Sequence, residues 1–193
     1  MKLDLITVFL YSYLIGSIPF GLIITKIFLK KDIRKTGSGN IGATNVLRTG
    51  KKLLAAFTLF LDISKGYVAV LVASIYFADL IYLAALVCFI GHIFPIWLNF
   101  RGGKGIATFL GTLLLISIEF TFIFALVWLV ILFIFKYSSL ASILSTFIVL
   151  VYSFTIDNLS LNFYLFTVLI IVVYTHRENI KRLKNKKENK IKF

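Results

Sequence analysis

Glycines interleaved with hydroxyls, amides and cations mark two stretches of this sequence suited to holding an anion. The first is Gly37-Ser38-Gly39-Asn40-Ile41-Gly42-Ala43-Thr44-Asn45-Val46-Leu47-Arg48. Glycines there let backbone N–H groups converge on an anion, Ser38, Asn40, Thr44 and Asn45 add neutral donors, and Arg48 can fork onto a phosphate. Gly37 to Gly42 also matches G-x-G-x-x-G, but a basic linker and no strand precedes it, so the dinucleotide-binding match is accidental. A Walker A loop is excluded, because Ala43-Thr44 stands where Lys-Ser/Thr is required. Taken alone, the stretch also reads as a flexible linker opening a helix.

The second stretch is Arg101-Gly102-Gly103-Lys104-Gly105, leading into Ile106-Ala107-Thr108. A helix beginning there offers unpaired N–H groups and the positive end of its dipole, both favourable to an anion. Alone, a short basic turn after an apolar run is more simply a topology signal. A third element, His176-Arg177-Glu178-Asn179, follows the last apolar run and brings a titratable imidazole to the same depth. Asp62 and Lys65 lie three apart inside an apolar run, on one helical face. An unpaired charge at mid-bilayer costs at least about 2.5 kcal/mol, which favours a structural ion pair over a proton relay. His92 reads as a hydrogen-bonded residue between helices, with a place in the wall of a site also open to it. The carboxylates near the basic loops, Asp32, Glu178 and Glu188, are scattered over separate segments, so no metal and no cofactor is expected.

The elements that carry these motifs follow from composition. Of 193 residues 60% are hydrophobic, the mean hydropathy is +0.97, and soluble domains average nearer 45 to 50%. The apolar residues form runs over approximately 3–29, 53–75, 80–100, 106–118, 120–135, 139–156 and 159–175. Without period-two alternation and with only two prolines, these read as membrane helices and exclude an outer-membrane barrel. The expected fold is all-α, a single membrane domain over residues 1–193 of about seven transmembrane helices. The first run lacks an A-x-A cleavage site and is long enough to span, so it reads as an uncleaved helix. The single cysteine, Cys88, sits in an apolar run and reads as a small buried residue.

A net charge of +13 could suggest nucleic acid, but its distribution argues for topology. Every basic residue except Lys2, Lys26 and Lys65 falls between alternate runs or in the tail 176–193, which ends in Lys190 and Lys192. The opposite separators carry Asp79, Glu119 and Asp157. The positive-inside rule places the basic side in the cytoplasm, with the N-terminus outside and the C-terminus inside. Six spans would export the basic tail. A re-entrant hairpin over 106–135, giving five, keeps the same ends.

Together the motifs closely resemble the bacterial acyl-phosphate:glycerol-3-phosphate acyltransferase family, the PlsY family, over essentially the whole chain. The anchors are Gly16-Ser17-Ile18-Pro19-Phe20-Gly21, the Gly37 to Asn45 stretch, Asp62-Ile63-Ser64-Lys65-Gly66, Gly91-His92, Gly102 to Gly105, and His176 to Asn179. The resemblance implies transfer of a fatty acyl group from long-chain acyl phosphate to the sn-1 hydroxyl of glycerol 3-phosphate. The products are lysophosphatidic acid and phosphate, in the first step of phospholipid synthesis. It implies a critical serine and arginine at Ser38 and Arg48, and a glycerol-phosphate loop at Gly102 to Gly105 with Lys104. His176 and Asn179 are implied to serve activity and Glu178 to be structural. The implied setting is the bacterial cytoplasmic (inner) membrane, among membrane lipids, with a functional link to the enzyme that makes acyl phosphate.

No H-x-x-x-x-D motif is present, since Trp97 lies five residues after His92 and Lys181 five after His176. Acyl phosphate is already an activated anhydride, so a substrate phosphate oxygen is the expected proton acceptor, with His176 and Asn179 orienting the reactants. A transporter of an organic phosphate shares the spans and the glycine loops, but the paired halves and broken helices of that class are not evident in the sequence. A scaffold with a basic tail for anionic lipid leaves the glycine loops without a reason.

Overall fold

The computed structural model describes residues 2–191; Lys192, counted above in the basic tail, lies outside the described residues. Those residues form helices and turns with no strand, as the apolar runs imply. They divide into two compact units, Met1–Ile116 and Ser117–Phe193.

In the first unit, α1 (Lys2–Gly16) and α2 (Phe20–Leu29) share the first apolar run. The expected unbroken helix over 3–29 is interrupted at Ser17-Ile18-Pro19, where Pro19 cannot donate and disfavours helical geometry in Ile18. The break is braced, because Trp97 Nε1 donates to Ser17 Oγ at 2.8 Å and the Tyr13 hydroxyl donates to the Phe94 carbonyl at 2.8 Å. A short helix, α3 (Ala43–Leu47), leads to α4 (Lys52–Tyr76), which packs against every other helix of the unit. Helix α5 (Ile81–Ile93) stops before Pro95, so the expected run 80–100 ends in a 3₁₀ turn, Ile96–Leu98, followed by left-handed Asn99 and Phe100. That reversal returns Arg101–Gly105 toward the end of α5 before α6 (Ile106–Ile116) begins.

Helices α4 and α6 meet backbone to backbone. A Cβ on Gly66 would lie 2.2 Å from the Thr108 carbonyl oxygen, and one on Gly111 would lie 1.9 Å from that of Ile63. Small residues allow this approach where no hydrophobic force draws helices together in lipid.

In the second unit, α7 (Ile118–Phe135) begins at Ser117, whose Oγ accepts from the Phe120 N–H at 3.4 Å. The boundary expected between runs at 118 and 120 therefore falls at this serine. Helix α8 (Ser138–Ser153) lies between α7 and α9 (Leu159–Thr175), burying Ser139, Ser142, Ser145, Thr146 and Ser153. All of these hydroxyls but that of Ser139 donate to carbonyls of their own helix, as when Ser145 Oγ donates to Ala141 O at 2.5 Å. Asn158 caps α9 by accepting from Leu161 N–H at 2.9 Å. At His176 the chain bends by 60° into α10 (Arg177–Lys184).

Among the described residues, four helical stretches are long and apolar enough to cross a membrane, 2–29, 52–76, 78–98 and 118–135. The bent pair α9 and α10 supplies a fifth if taken as one. Helices α6 and α8, of 11 and 16 residues, are shorter, the former about 16 Å long against about 30 Å of hydrocarbon. Leucine, phenylalanine and isoleucine side chains stay exposed along α1, α7 and α9, as lipid-facing surfaces require.

Candidate active site

The first glycine loop is organised by Asn45. Its side chain is buried, with 2% exposure. The amide oxygen accepts from Ser38 N–H at 2.9 Å, while Nδ2 donates to the carbonyls of Asn40 at 2.7 Å and of Ile33 and Thr36, both at 3.1 Å. Asn45 is thus engaged in folding the loop. Asn40 is also engaged, its Oδ1 accepting from Gly42 N–H at 3.1 Å at the start of α3. Gly37 has φ +56°, and a Cβ there would lie 2.3 Å from Asn45 Oδ1, so glycine is required by both conformation and space. Gly39 also has positive φ, Thr44 is half-buried within α3, and Ser38 and Arg48 stand exposed at the loop's two ends.

A cavity of about 470 Å³ opens beside this loop, lined by Phe28, Leu29, Lys31, Thr36, Gly37, Asn45, Arg48, Thr49 and Lys51. One wall is the apolar end of α2 and the others carry three cations. At the loop's entry, hydrogen bonds from Arg34 hold the Asp32 carboxyl down to about 2, and its charge is matched by Arg34 Nη2 at 2.6 Å.

The second loop is pressed onto the end of α5. Gly102 N–H donates to Ile93 O at 2.9 Å and Gly103 N–H to His92 O at 3.0 Å. Gly103 and Gly105 are buried and Lys104 half-buried. Thr108, in the helix start expected to favour an anion, is wholly buried and turns its carbonyl to Gly66, a helix-packing position. Beneath the loop, Lys65 Nζ lies 2.8 Å from Asp62 Oδ1 and 2.7 Å from His92 Nδ1, and it donates to the Ile18 carbonyl at 2.9 Å.

In the second unit His176 is buried, and Nδ1 lies 2.8 Å from the Val172 carbonyl. A carbonyl only accepts, so Nδ1 carries a proton in this contact. Asn179 Nδ2 donates to Glu188 Oε1 at 2.6 Å. Glu188 also accepts from Ser139 Oγ at 2.9 Å and pairs with Arg182 Nε at 2.7 Å. Burial by itself would raise the Glu188 carboxyl, yet hydrogen bonds from Arg182, Asn179 and Ser139 hold it below the usual glutamate range. Glu178 is exposed on α10, so the carboxylate that fixes Asn179 is Glu188. Sequence reasoning gave Glu188 no role. The signal was its isolation, as the one carboxylate after Glu178 in a basic tail.

Among the described residues no cluster of three or more histidines, cysteines or carboxylates is placed to hold a metal ion. The first unit offers cations for anion binding, and the second a buried imidazole beside a clamped amide.

Comparison with known proteins is concordant along the chain. The glycerol-3-phosphate acyltransferase family profile matches residues 6–186. The chain is 51% identical over 191 residues to the glycerol-3-phosphate acyltransferase of Pelagibacter ubique, covering 99% of this chain and all of that one. It is 49% identical to that of Ehrlichia canis, covering 96% and 97% of the two chains. The crystal structure of PlsY, an integral membrane glycerol 3-phosphate acyltransferase, in its glycerol 3-phosphate form, superposes with a TM-score of 0.92 at 34% identity. That match covers 98% of this chain and 96% of the other. The lysophosphatidic acid form gives a TM-score of 0.89 at the same identity and coverage.

Proposed function

The chain belongs to the glycerol-3-phosphate acyltransferase family, and on that premise we propose that it transfers a fatty acyl group from acyl phosphate to the sn-1 hydroxyl of glycerol 3-phosphate. The observation that carries this reading is the cavity beside the first loop, where Phe28 and Leu29 at the membrane end of α2 face Lys31, Arg48 and Lys51. That combination suits a phosphate joined to an apolar chain better than a wholly soluble anion. Its products are lysophosphatidic acid and inorganic phosphate.

In the proposed reaction the glycerol hydroxyl oxygen attacks the acyl carbonyl carbon, the bond from that carbon to the bridging phosphate oxygen breaks, and the hydroxyl proton ends on the released phosphate. Lys104, with the Gly105 amide, holds the phosphate of glycerol 3-phosphate within the Gly102–Gly105 loop, while Arg48, with the Gly37 amide, takes the second phosphate. Ser38 Oγ, His176 and Asn179 orient the hydroxyl and the carbonyl. Thr44, half-buried within α3, remains a phosphate donor in this reading.

Purified protein in detergent is expected to acylate glycerol 3-phosphate from a long-chain acyl phosphate at full rate in excess chelator, because direct cationic binding replaces a metal. His176→Ala is expected to lower kcat by about 100-fold, the scale of losing a group that orients the reactants. Transfer from acyl carrier or coenzyme thioesters alone, or dependence on added magnesium, would sink the donor or the metal-free assignment respectively.

The site is proposed to face the cytoplasm, in a bacterial inner membrane, with seven spans, the N-terminus outside and the tail inside. The basic loops support that orientation. A membrane-impermeant thiol reagent is expected to label Ser38→Cys and Thr49→Cys only from the cytoplasmic side and Asn158→Cys only from outside. Native Cys88, which is fully buried, serves as the silent background. Labelling of position 158 from within would reverse the parity of the spans.

A further inference from the structure

The Gly102–Gly105 loop rests on a buried ionic assembly, and we propose that Asp62, Lys65 and His92 are positioning residues that set this loop's conformation and so aim Lys104 at the substrate phosphate. The inference builds on the phosphate-binding role proposed for Lys104.

An ammonium has three N–H groups, and Lys65 has three acceptors around it: Ile18 O at 2.9 Å, Asp62 Oδ1 at 2.8 Å and His92 Nδ1 at 2.7 Å. The break between α1 and α2 is what releases the Ile18 carbonyl for this purpose. Since Lys65 only donates, His92 Nδ1 must accept, and the neutral ring carries its proton on Nε2. The Lys65 contact therefore fixes both the tautomer and the rotation of the imidazole.

The opposite edge of that ring forms the floor of the loop. A Cβ on Gly103 would lie 2.0 Å from His92 Nε2, 2.8 Å from Cδ2 and 2.9 Å from Cε1. His92 also receives the Gly103 N–H on its own carbonyl at 3.0 Å. One residue thus touches the loop through both backbone and ring, immediately before Lys104. Turning the imidazole would move Gly103 and, with it, the origin of the Lys104 side chain.

Stability alone does not account for the assembly. Replacing a buried ion pair with well-packed apolar residues is often neutral or stabilising, and charges inside a membrane segment are costly enough to mark function by default. Lys65 is held by hydrogen bonds to Ile18 O and His92 Nδ1 and by the Asp62 carboxylate at ion-pair distance, which makes it a clamp on His92 and not a ligand for substrate.

The test separates positioning from folding. His92→Asn keeps an acceptor toward Lys65 but withdraws the ring edge from Gly103. It is expected to raise KM for glycerol 3-phosphate about five-fold with kcat changed less than about two-fold, the pattern of lost substrate binding. In a Lys104→Ala background the same substitution is expected to move KM by less than about two-fold, because residues acting through one contact are non-additive. Backbone amide exchange at Gly102 and Gly103 is expected to quicken in His92→Asn and in Asp62→Asn while exchange across α4 and α8 stays unchanged. An unchanged KM in His92→Asn, or equal effects in both backgrounds, overturns the proposal. If His92→Asn fails to fold, Asp62→Asn reads the same chain one step back, with the same expected KM shift and the same overturning result. Absence of acyl transfer in the wild-type protein would instead remove the functional reading, and the amide-exchange comparison would still decide the positioning claim.

Discussion

Asn45→Ala is expected to lower kcat/KM for glycerol 3-phosphate by about 100-fold or more while helical content and membrane insertion persist. The amide of Asn45 ties together four backbone groups, of Ser38, Asn40, Thr36 and Ile33, of which only the Ile33 and Thr36 carbonyls also accept from backbone N–H groups, those of Thr36 and Gly39. Each lost bond inside a buried loop is worth about 1 kcal/mol, and each carbonyl or N–H left behind adds a desolvation penalty. Roughly 3 kcal/mol of lost order corresponds to about two decades in rate. Asn45→Asp tests the same point more sharply. It keeps an acceptor for the Ser38 N–H but removes the donor and turns a carboxylate toward three carbonyl oxygens. The aspartate variant should therefore be no better than alanine, measured by acyl transfer in detergent. Near-normal activity in Asn45→Asp would mean that the loop is held by its glycines and by α3 alone.

Elements governed by local pattern were legible in the sequence. The expected run 53–75 is α4, Lys52–Tyr76, and the run 159–175 is α9, Leu159–Thr175, because long apolar stretches bounded by charge leave the backbone one way to satisfy itself in lipid. The interruptions were marked but underweighted. Pro19 breaks the first run and Pro95 ends α5, each within an apolar stretch whose hydropathy gives no hint of a turn. Asp62 and Lys65 could be paired from their i, i+3 spacing, and the two lie 2.8 Å apart. Nothing local announced that His92, 27 residues beyond Lys65, would accept a hydrogen bond from the same ammonium. Glu188 was equally hidden, since its partner Ser139 lies 49 residues away. Long-range polar contacts carry no periodicity, and periodicity is what single-sequence reasoning reads. The same limit explains Asn45. A loop of glycines and amides announces that anions can bind there, but which amide binds the ligand and which holds the loop depends on burial, and Asn45 is buried while Ser38 is exposed.

Lys104→Ala is expected to weaken the apparent affinity for glycerol 3-phosphate by about ten- to one-hundred-fold, the equivalent of roughly 1.4 to 2.7 kcal/mol, with a smaller change in kcat. A charge-assisted hydrogen bond to phosphate supplies about 1.5 to 3 kcal/mol, and the half-buried setting of Lys104 shields it from the screening that weakens exposed pairs. The neighbouring glycines cannot compensate. Gly102 and Gly103 already direct their N–H groups to the carbonyls of Ile93 and His92, so the loop's backbone is committed to holding its own shape and the ammonium carries most of the attraction. Lys104→Arg should restore only part of the loss. Its guanidinium is a planar fork on a different reach, and a loop seated within contact of the His92 ring and of Phe89 has little freedom to back away from it. The decisive comparison is the KM for glycerol 3-phosphate against the KM for acyl phosphate. If Lys104 serves the acceptor's phosphate, only the first moves, whereas a parallel rise in both would place this lysine between the two substrates.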